Sequence, residues 1–120
     1  MKKSIIKNYR FEANRLIIST SDSIKKVILP LAIEEVKCFE DMLVVLLDYS
    51  MDEIFNENVF GISAEGKVLW QIEKIFHAYE HSPFTNIGQK NDLLSAYNVE
   101  GYNYFVDLKT GKIVDKEFIK

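Results

Sequence analysis

The sequence has a single cysteine, Cys38, so no intramolecular disulfide can form. Set in an apolar run, that residue reads as a buried small hydrophobe in a reducing compartment, and the chain reads as cytoplasmic rather than secreted. Long hydrophobic runs are missing as well. The longest, Met42 to Leu47, falls far short of the roughly 20 apolar residues of a membrane-spanning helix. The start, Met1-Lys2-Lys3-Ser4-Ile5-Ile6-Lys7, has the basic residues of an export signal without its apolar core. Positive charge is not in excess: 15 Lys and Arg stand against 18 Asp and Glu, for a net charge of −3. That balance argues against a phosphate-neutralising nucleic-acid surface and suits a basic partner instead. What is present, 120 residues of which 48% are hydrophobic, suffices for one core and one domain spanning 1–120. A chain of this size buries roughly two-thirds of the surface its unfolded form exposes.

Short segments rich in Ile, Val, Leu, Phe and Tyr alternate with turn clusters of two to four residues, the pattern of an antiparallel all-β protein. Nine or ten strands are expected, with hairpins at 16–20/24–29, 33–39/42–48 and 58–63/67–73, and a meander through 84–87, 92–98, 102–108 and 112–118. Ser21-Asp22-Ser23 favours a turn because short polar side chains bond the local backbone. Gly66 supplies the positive φ that a tight bulged hairpin needs. The strand over 42–48 contains Met-Leu-Val-Val-Leu-Leu, apolar at every position, and should be covered on both faces. In the strand after Gly66, Val68, Trp70 and Ile72 share one face, assigned to the core. Residues 74–83, closed by Pro83, read as an ordered connection, and 49–57 as a long loop with an apolar tip.

Part of the chain repeats itself. Residues 58–68 align without a gap on 103–113, matching Asn58 with Asn103, Phe60 with Phe105, Gly66 with Gly111 and Lys67 with Lys112. Upstream, Phe39-Glu40-Asp41-Met42-Leu43 resembles Lys90-Asn91-Asp92-Leu93, and Phe11-Glu12-Ala13-Asn14-Arg15-Leu16 is a fainter echo. The run Asn58 to Gln71 resembles the blade motif of quinoprotein-type β-propellers, and Tyr102 to Val114 resembles its second copy, without the Trp. The resemblance covers a third to a half of the chain. It implies blade-like hairpins in which the Trp packs between neighbouring blades. A blade takes about 40 to 45 residues and a ring at least four blades, so a closed propeller is not expected. Quinone binding is not carried over, because the ligands of the full ring are absent. The expected architecture is an open twisted meander or two packed sheets.

No catalytic constellation emerges. His77 and His81 lie four apart around Glu80, a spacing that on a helix would suit zinc, yet the segment reads as non-helical and no third ligand is evident. Glu35 and Glu40 beside Cys38 would raise a thiol pKa rather than activate it, with Lys37 on the opposite strand face. The adjacent carboxylates Glu34-Glu35 and Asp52-Glu53 diverge in strands and loops and read as solvated charge. Lys2, Lys3, Lys7 and Arg10 read as a flexible, solubilising end. Neither a phosphate loop nor a nucleophile elbow occurs. No cofactor, no metal, no nucleic acid and no membrane contact is expected.

The function expected from this reading is that of a non-enzymatic protein-binding module, an immunity or inhibitor protein occluding a basic, nuclease-type toxin domain. Its partner-binding surface is assigned to Asp48, Tyr49, Asp52, Glu53, Phe55 and Glu57, where acidic groups surround an aromatic anchor. In general look the chain is similar to immunity proteins of bacterial polymorphic-toxin and contact-dependent inhibition systems. The alternatives are a small-ligand or carbohydrate-binding β-domain and a unit that completes a larger propeller by association.

Overall fold

The computed structural model describes residues 5–49, 54–75 and 80–119, and these form eleven strands and no helix. No helix long and apolar enough to cross a membrane occurs among them. Three antiparallel sheets follow one another in chain order. Sheet 1 comprises β1 (Ile6–Glu12), β2 (Arg15–Thr20) and β3 (Ile24–Ile28). Sheet 2 comprises β4 (Ile33–Phe39), β5 (Met42–Leu47), β6 (Val59–Ser63) and β7 (Val68–Gln71). Sheet 3 comprises β8 (Phe84–Lys90), β9 (Leu93–Asn98), β10 (Tyr102–Val106) and β11 (Ile113–Phe118). Within each sheet every strand pairs with its sequence neighbour.

Two apolar layers hold the sheets face to face. Leu16, Ile18 and Val27 of sheet 1 meet Leu43, Val45, Leu47, Phe60 and Ile62 of sheet 2. On the other face of sheet 2, Val44, Leu46, Val59 and Trp70 meet Phe84, Ile87, Leu94, Ala96, Tyr104 and Val106 of sheet 3. Sheet 2 is therefore the middle layer. This is why β5 carries an apolar residue at every position: Leu43 to Leu47 are all buried, alternating between the two layers. The expected all-β antiparallel meander is therefore present, divided into three stacked sheets and not closed into a propeller.

Trp70 joins sheets 2 and 3. Its indole Nε1 donates to the Leu108 carbonyl at 2.7 Å, 38 residues away. The ring lies so close to two glycines that an added Cβ would come within 2.3 Å of it from Gly61 and 2.8 Å from Gly111. Gly111, at φ 76°, also needs the left-handed backbone of its turn. A slip in register between Gly61 and Ile62 accompanies this packing. It explains a departure from simple alternation, because Trp70 and Ile72 are buried whereas Val68 is 54% exposed.

A second fastening is polar. Asn58, fully buried, donates through Nδ2 to the carbonyls of Leu47 (3.0 Å) and Phe84 (2.9 Å) and accepts the Phe84 amide at 2.9 Å. Beside it, Asn56 Oδ1 accepts the Ser82 amide (2.8 Å), while Ser82 Oγ and Asn98 Oδ1 share a 3.0 Å hydrogen bond. The end of the connection over 80–83 is thereby held against sheets 2 and 3 before β8 begins.

The structure corrects three expectations from sequence. The N-terminal segment is not a loose basic end from Lys7 onward, because Lys7 and Arg10 lie on β1, whose Ile6 and Tyr9 pack against the layer between sheets 1 and 2. Lys2 and Lys3 lie outside the described residues. Cys38 is exposed rather than buried, standing near the end of β4. The echo of Phe11 to Leu16 in Phe39 to Leu43 is not a structural equivalence. The Ala13-Asn14 turn is tied by Ile33 N→Ala13 O (2.8 Å) to the start of β4, at the opposite end of the strands from Glu40. Strand direction therefore matches β1 with β5 and β9. Among the described residues sheet 1 has no counterpart of β4 and β8.

Candidate functional site

Three turns gather at one end of sheets 2 and 3. The β4–β5 turn carries Glu40 and Asp41, the β8–β9 turn carries Asn91 and Asp92, and the chain leaving β10 carries Asp107, Leu108 and Lys109. Glu40 and Asn91 both adopt φ 55°, so each two-residue link reverses the chain tightly and sets an aspartate at the next position. The third turn is built by Asp107. Its Oδ1 accepts the Lys109 amide (2.9 Å) and its carbonyl accepts the Gly111 amide (2.8 Å). Between these turns lies a cleft of about 570 Å³. Its floor and walls include Phe39, Met42, Leu93 and Leu108, and its charged lining is Glu40, Asp41, Asp92 and Asp107 against Lys109. Four carboxylates facing one ammonium give the cleft a negative potential, which concavity focuses.

Cys38 lines the same cleft, its Sγ 3.5 Å from the Glu40 carbonyl. Partial burial, and then the carboxylate of Asp41, push its thiol above the usual cysteine range. The direction matches the sequence expectation, with Asp41 as the charged neighbour in place of Glu35 or Glu40. A raised pKa leaves less thiolate at neutral pH, so this is not an activated nucleophile. Alkylation by iodoacetamide is expected to be several-fold slower at pH 7.5 than for an unstructured cysteine peptide, and to keep rising beyond pH 9. A rate that levels off below pH 8 would contradict that environment.

The sequence-assigned surface lies elsewhere. Asp48 and Tyr49 follow β5, whereas the cleft is at the start of β5; six residues at about 3.4 Å each separate the two ends. Tyr49 is exposed. Phe55 turns inward, stacking on Phe60 at 6.3 Å between ring centroids and packing against the layer between sheets 1 and 2. The Glu57 carbonyl accepts Gln71 Nε2 at 2.8 Å. Asp52 and Glu53 lie outside the described residues. Phe55 thus packs as part of a capping loop, while Asp48, Tyr49 and Glu57 stay at the loop's margins. His81 is described and half-buried, and His77 lies outside the described residues. Among the described residues no group of three His, Cys, Asp or Glu side chains is placed to hold a metal ion.

The fold and the cleft define an all-β protein of three stacked meanders with an acidic mouth between two of them. The chain belongs to a family described as a domain of unknown function, DUF7957, which it matches over residues 6–118. No curated protein matches it. Among solved structures it is similar to the computationally designed Ika8 protein, with a TM-score of 0.58 and 12% identity, covering 96% of this chain and 37% of that one. It is also similar to the computationally designed Ika4 protein, with a TM-score of 0.56 and 13% identity, covering 98% of this chain and 74% of that one. The chain therefore spans little more than a third of the length of Ika8. At these identities the likeness is one of fold alone.

Proposed function

We propose that the protein is a non-enzymatic protein-binding module that receives a basic segment of its partner in the acidic cleft between sheets 2 and 3. The observation that carries this reading is the convergence of Glu40, Asp41, Asp92 and Asp107 on an apolar floor. Such a site attracts cationic side chains and buries their aliphatic stems. The narrower form is a cytoplasmic immunity protein that occludes a basic, nuclease-type toxin, with acidic side chains standing where phosphate would bind. It is supported by the net charge of −3 and by the general likeness to bacterial immunity proteins noted above. Consecutive four-stranded meanders, with Trp70 lodged between two of them, support the reading of sheets 2 and 3 as propeller-like blades. The cleft volume of about 570 Å³ also suits a small ligand, so a small-ligand or carbohydrate-binding β-domain is the second reading.

The test pairs two charge reversals. Wild type, an Asp41→Lys/Asp92→Lys variant and an Asp52→Lys/Glu53→Lys variant are used to capture partners from native lysate at low and high salt. A basic protein held by wild type, weakened at least about tenfold by reversal of the cleft and released by salt, supports the reading. Retention lost only with Asp52 and Glu53 moves the surface to the loop. Retention indifferent to both reversals discards the electrostatic mechanism.

A further inference from the structure

We propose that the outer face of sheet 3 holds a neutral carbohydrate, a disaccharide unit or a longer glycan, in a groove over β8, β9 and β10. This site is separate from the acidic cleft, and it does not rest on the reading of that cleft.

Strand register identifies the face. The β4–β5 and β8–β9 turns close on matching pairs, Phe39 with Met42 and Lys90 with Leu93. Counted from these pairs, the side chains by which sheet 2 receives sheet 3, namely Phe39, Val44, Leu46 and Val59, correspond to Lys90, Ser95, Tyr97 and Asn103 of sheet 3. Polar atoms thus stand at all four places where sheet 2 is apolar. A further apolar layer laid there would bury them without partners, which is costly. Phe105, turned to this face opposite Ser95, is already covered: it is 5% exposed, with Lys90 Nζ 4.8 Å from its ring centroid.

The groove is built from two rows of that face. Asn86, Tyr97 and Asn103 oppose one another across β8, β9 and β10, so two amides flank a phenol ring. In the next row Gly88 opposes Ser95, and a Cβ at Gly88 would lie 3.0 Å from the Ser95 Oγ. The missing side chain leaves a depression of about 320 Å³, which Ile119 also lines. Strands spaced about 4.8 Å apart give the row of three a span of about 10 Å, the length of a disaccharide.

The lining defines the occupant. Among the described residues it carries no charged side chain, so phosphate, carboxylate and ammonium groups find no counter-ion there. Each Asn amide offers both donors and an acceptor, and the Ser95 and Tyr97 hydroxyls do both, which matches the vicinal hydroxyls of a sugar. Among the described residues none of these four side chains is hydrogen-bonded within the protein, so a ligand displaces only water from them. The C–H face of a sugar ring packs on Tyr97 and Ile119.

The probes are maltose, cellobiose and lactose, each titrated into the full chain to about 20 mM while amide NMR spectra are recorded. Saturable shifts with at least one of them are expected at Gly88, Ser95, Tyr97 and Asn103. Gly88→Gln should weaken binding at least about tenfold by filling the depression. Its fold should survive, because β4 carries Lys37 at the same register. Tyr97→Ala should cost as much, whereas Tyr97→Phe, which keeps the ring, should stay within about threefold. Asp41→Lys/Asp92→Lys should leave the affinity within about twofold, so failure of the cleft reading and failure of this one are separately visible. Glucose phosphate and adenosine should not shift these signals. Absence of saturation with all three disaccharides, shifts confined to the acidic cleft, wild-type affinity in Gly88→Gln, or tighter binding of adenosine or glucose phosphate would overturn the proposal.

Discussion

Asn58→Leu is expected to lower the unfolding free energy by about 3 kcal/mol or more, read from urea unfolding at an unchanged m-value. The side chain is close to isosteric, so the loss is not one of volume. It is the loss of three hydrogen bonds in a place water does not reach: the Leu47 and Phe84 carbonyls lose a donor and the Phe84 amide loses its acceptor. Each buried group left without a partner costs about 1–3 kcal/mol. Asn58→Asp should be comparably damaging at neutral pH, since a carboxylate keeps the acceptor for the Phe84 amide but supplies no donor and is itself fully buried. Asn103→Ala provides the comparison. Asn103 occupies the matching place in the repeat but is only half-buried on the outer face of sheet 3, and its replacement should cost under about 1 kcal/mol. Equal costs at the two positions would mean that Asn58 is not the fastening described.

Trp70→Ala should cost about 3–5 kcal/mol, because it empties the junction between sheets 2 and 3 and leaves the Leu108 carbonyl without its 2.7 Å donor. The informative experiment is a double-mutant cycle with Gly111→Ala. In the wild-type background the new methyl group meets the indole ring at 2.8 Å and forces alanine into a left-handed backbone. In the Trp70→Ala background only the backbone term remains. The Gly111 substitution should therefore be milder there by about 1 kcal/mol or more. Strict additivity would show that the ring and the glycine do not pack as described.

The hairpins were legible because their signals are local. Gly66 takes the positive φ assigned to it, at 84°, and the unbroken apolar run of β5 announced a strand covered twice. β1 was not legible, because charged and amide side chains fill most of it and only the half-buried Ile6 and Tyr9 pack inward. Trp70 was placed on the core face, but its partner Leu108 is 38 residues away and no spacing rule connects them. The cleft escaped for the same reason. Asp41, Asp92 and Asp107 belong to three separate turns, and only the stacking of sheet 3 on sheet 2 brings them together. The half-buried stacking of Phe55 on Phe60 was not legible either, because an aromatic residue in an acidic loop has the same appearance in sequence whether it projects outward or folds onto a neighbour.

Because the sheets stack in chain order, the middle one has a particular biosynthetic exposure. During translation β5 is made before sheet 3 exists, so Val44 and Leu46 must wait for a further 48 to 62 residues before Leu94, Ala96, Tyr104 and Val106 arrive to cover them. At ribosomal speeds of about 5–20 residues per second that interval lasts several seconds. A sticky hydrocarbon surface persists through it, which makes premature release of the nascent chain within this window the point of greatest vulnerability to clumping.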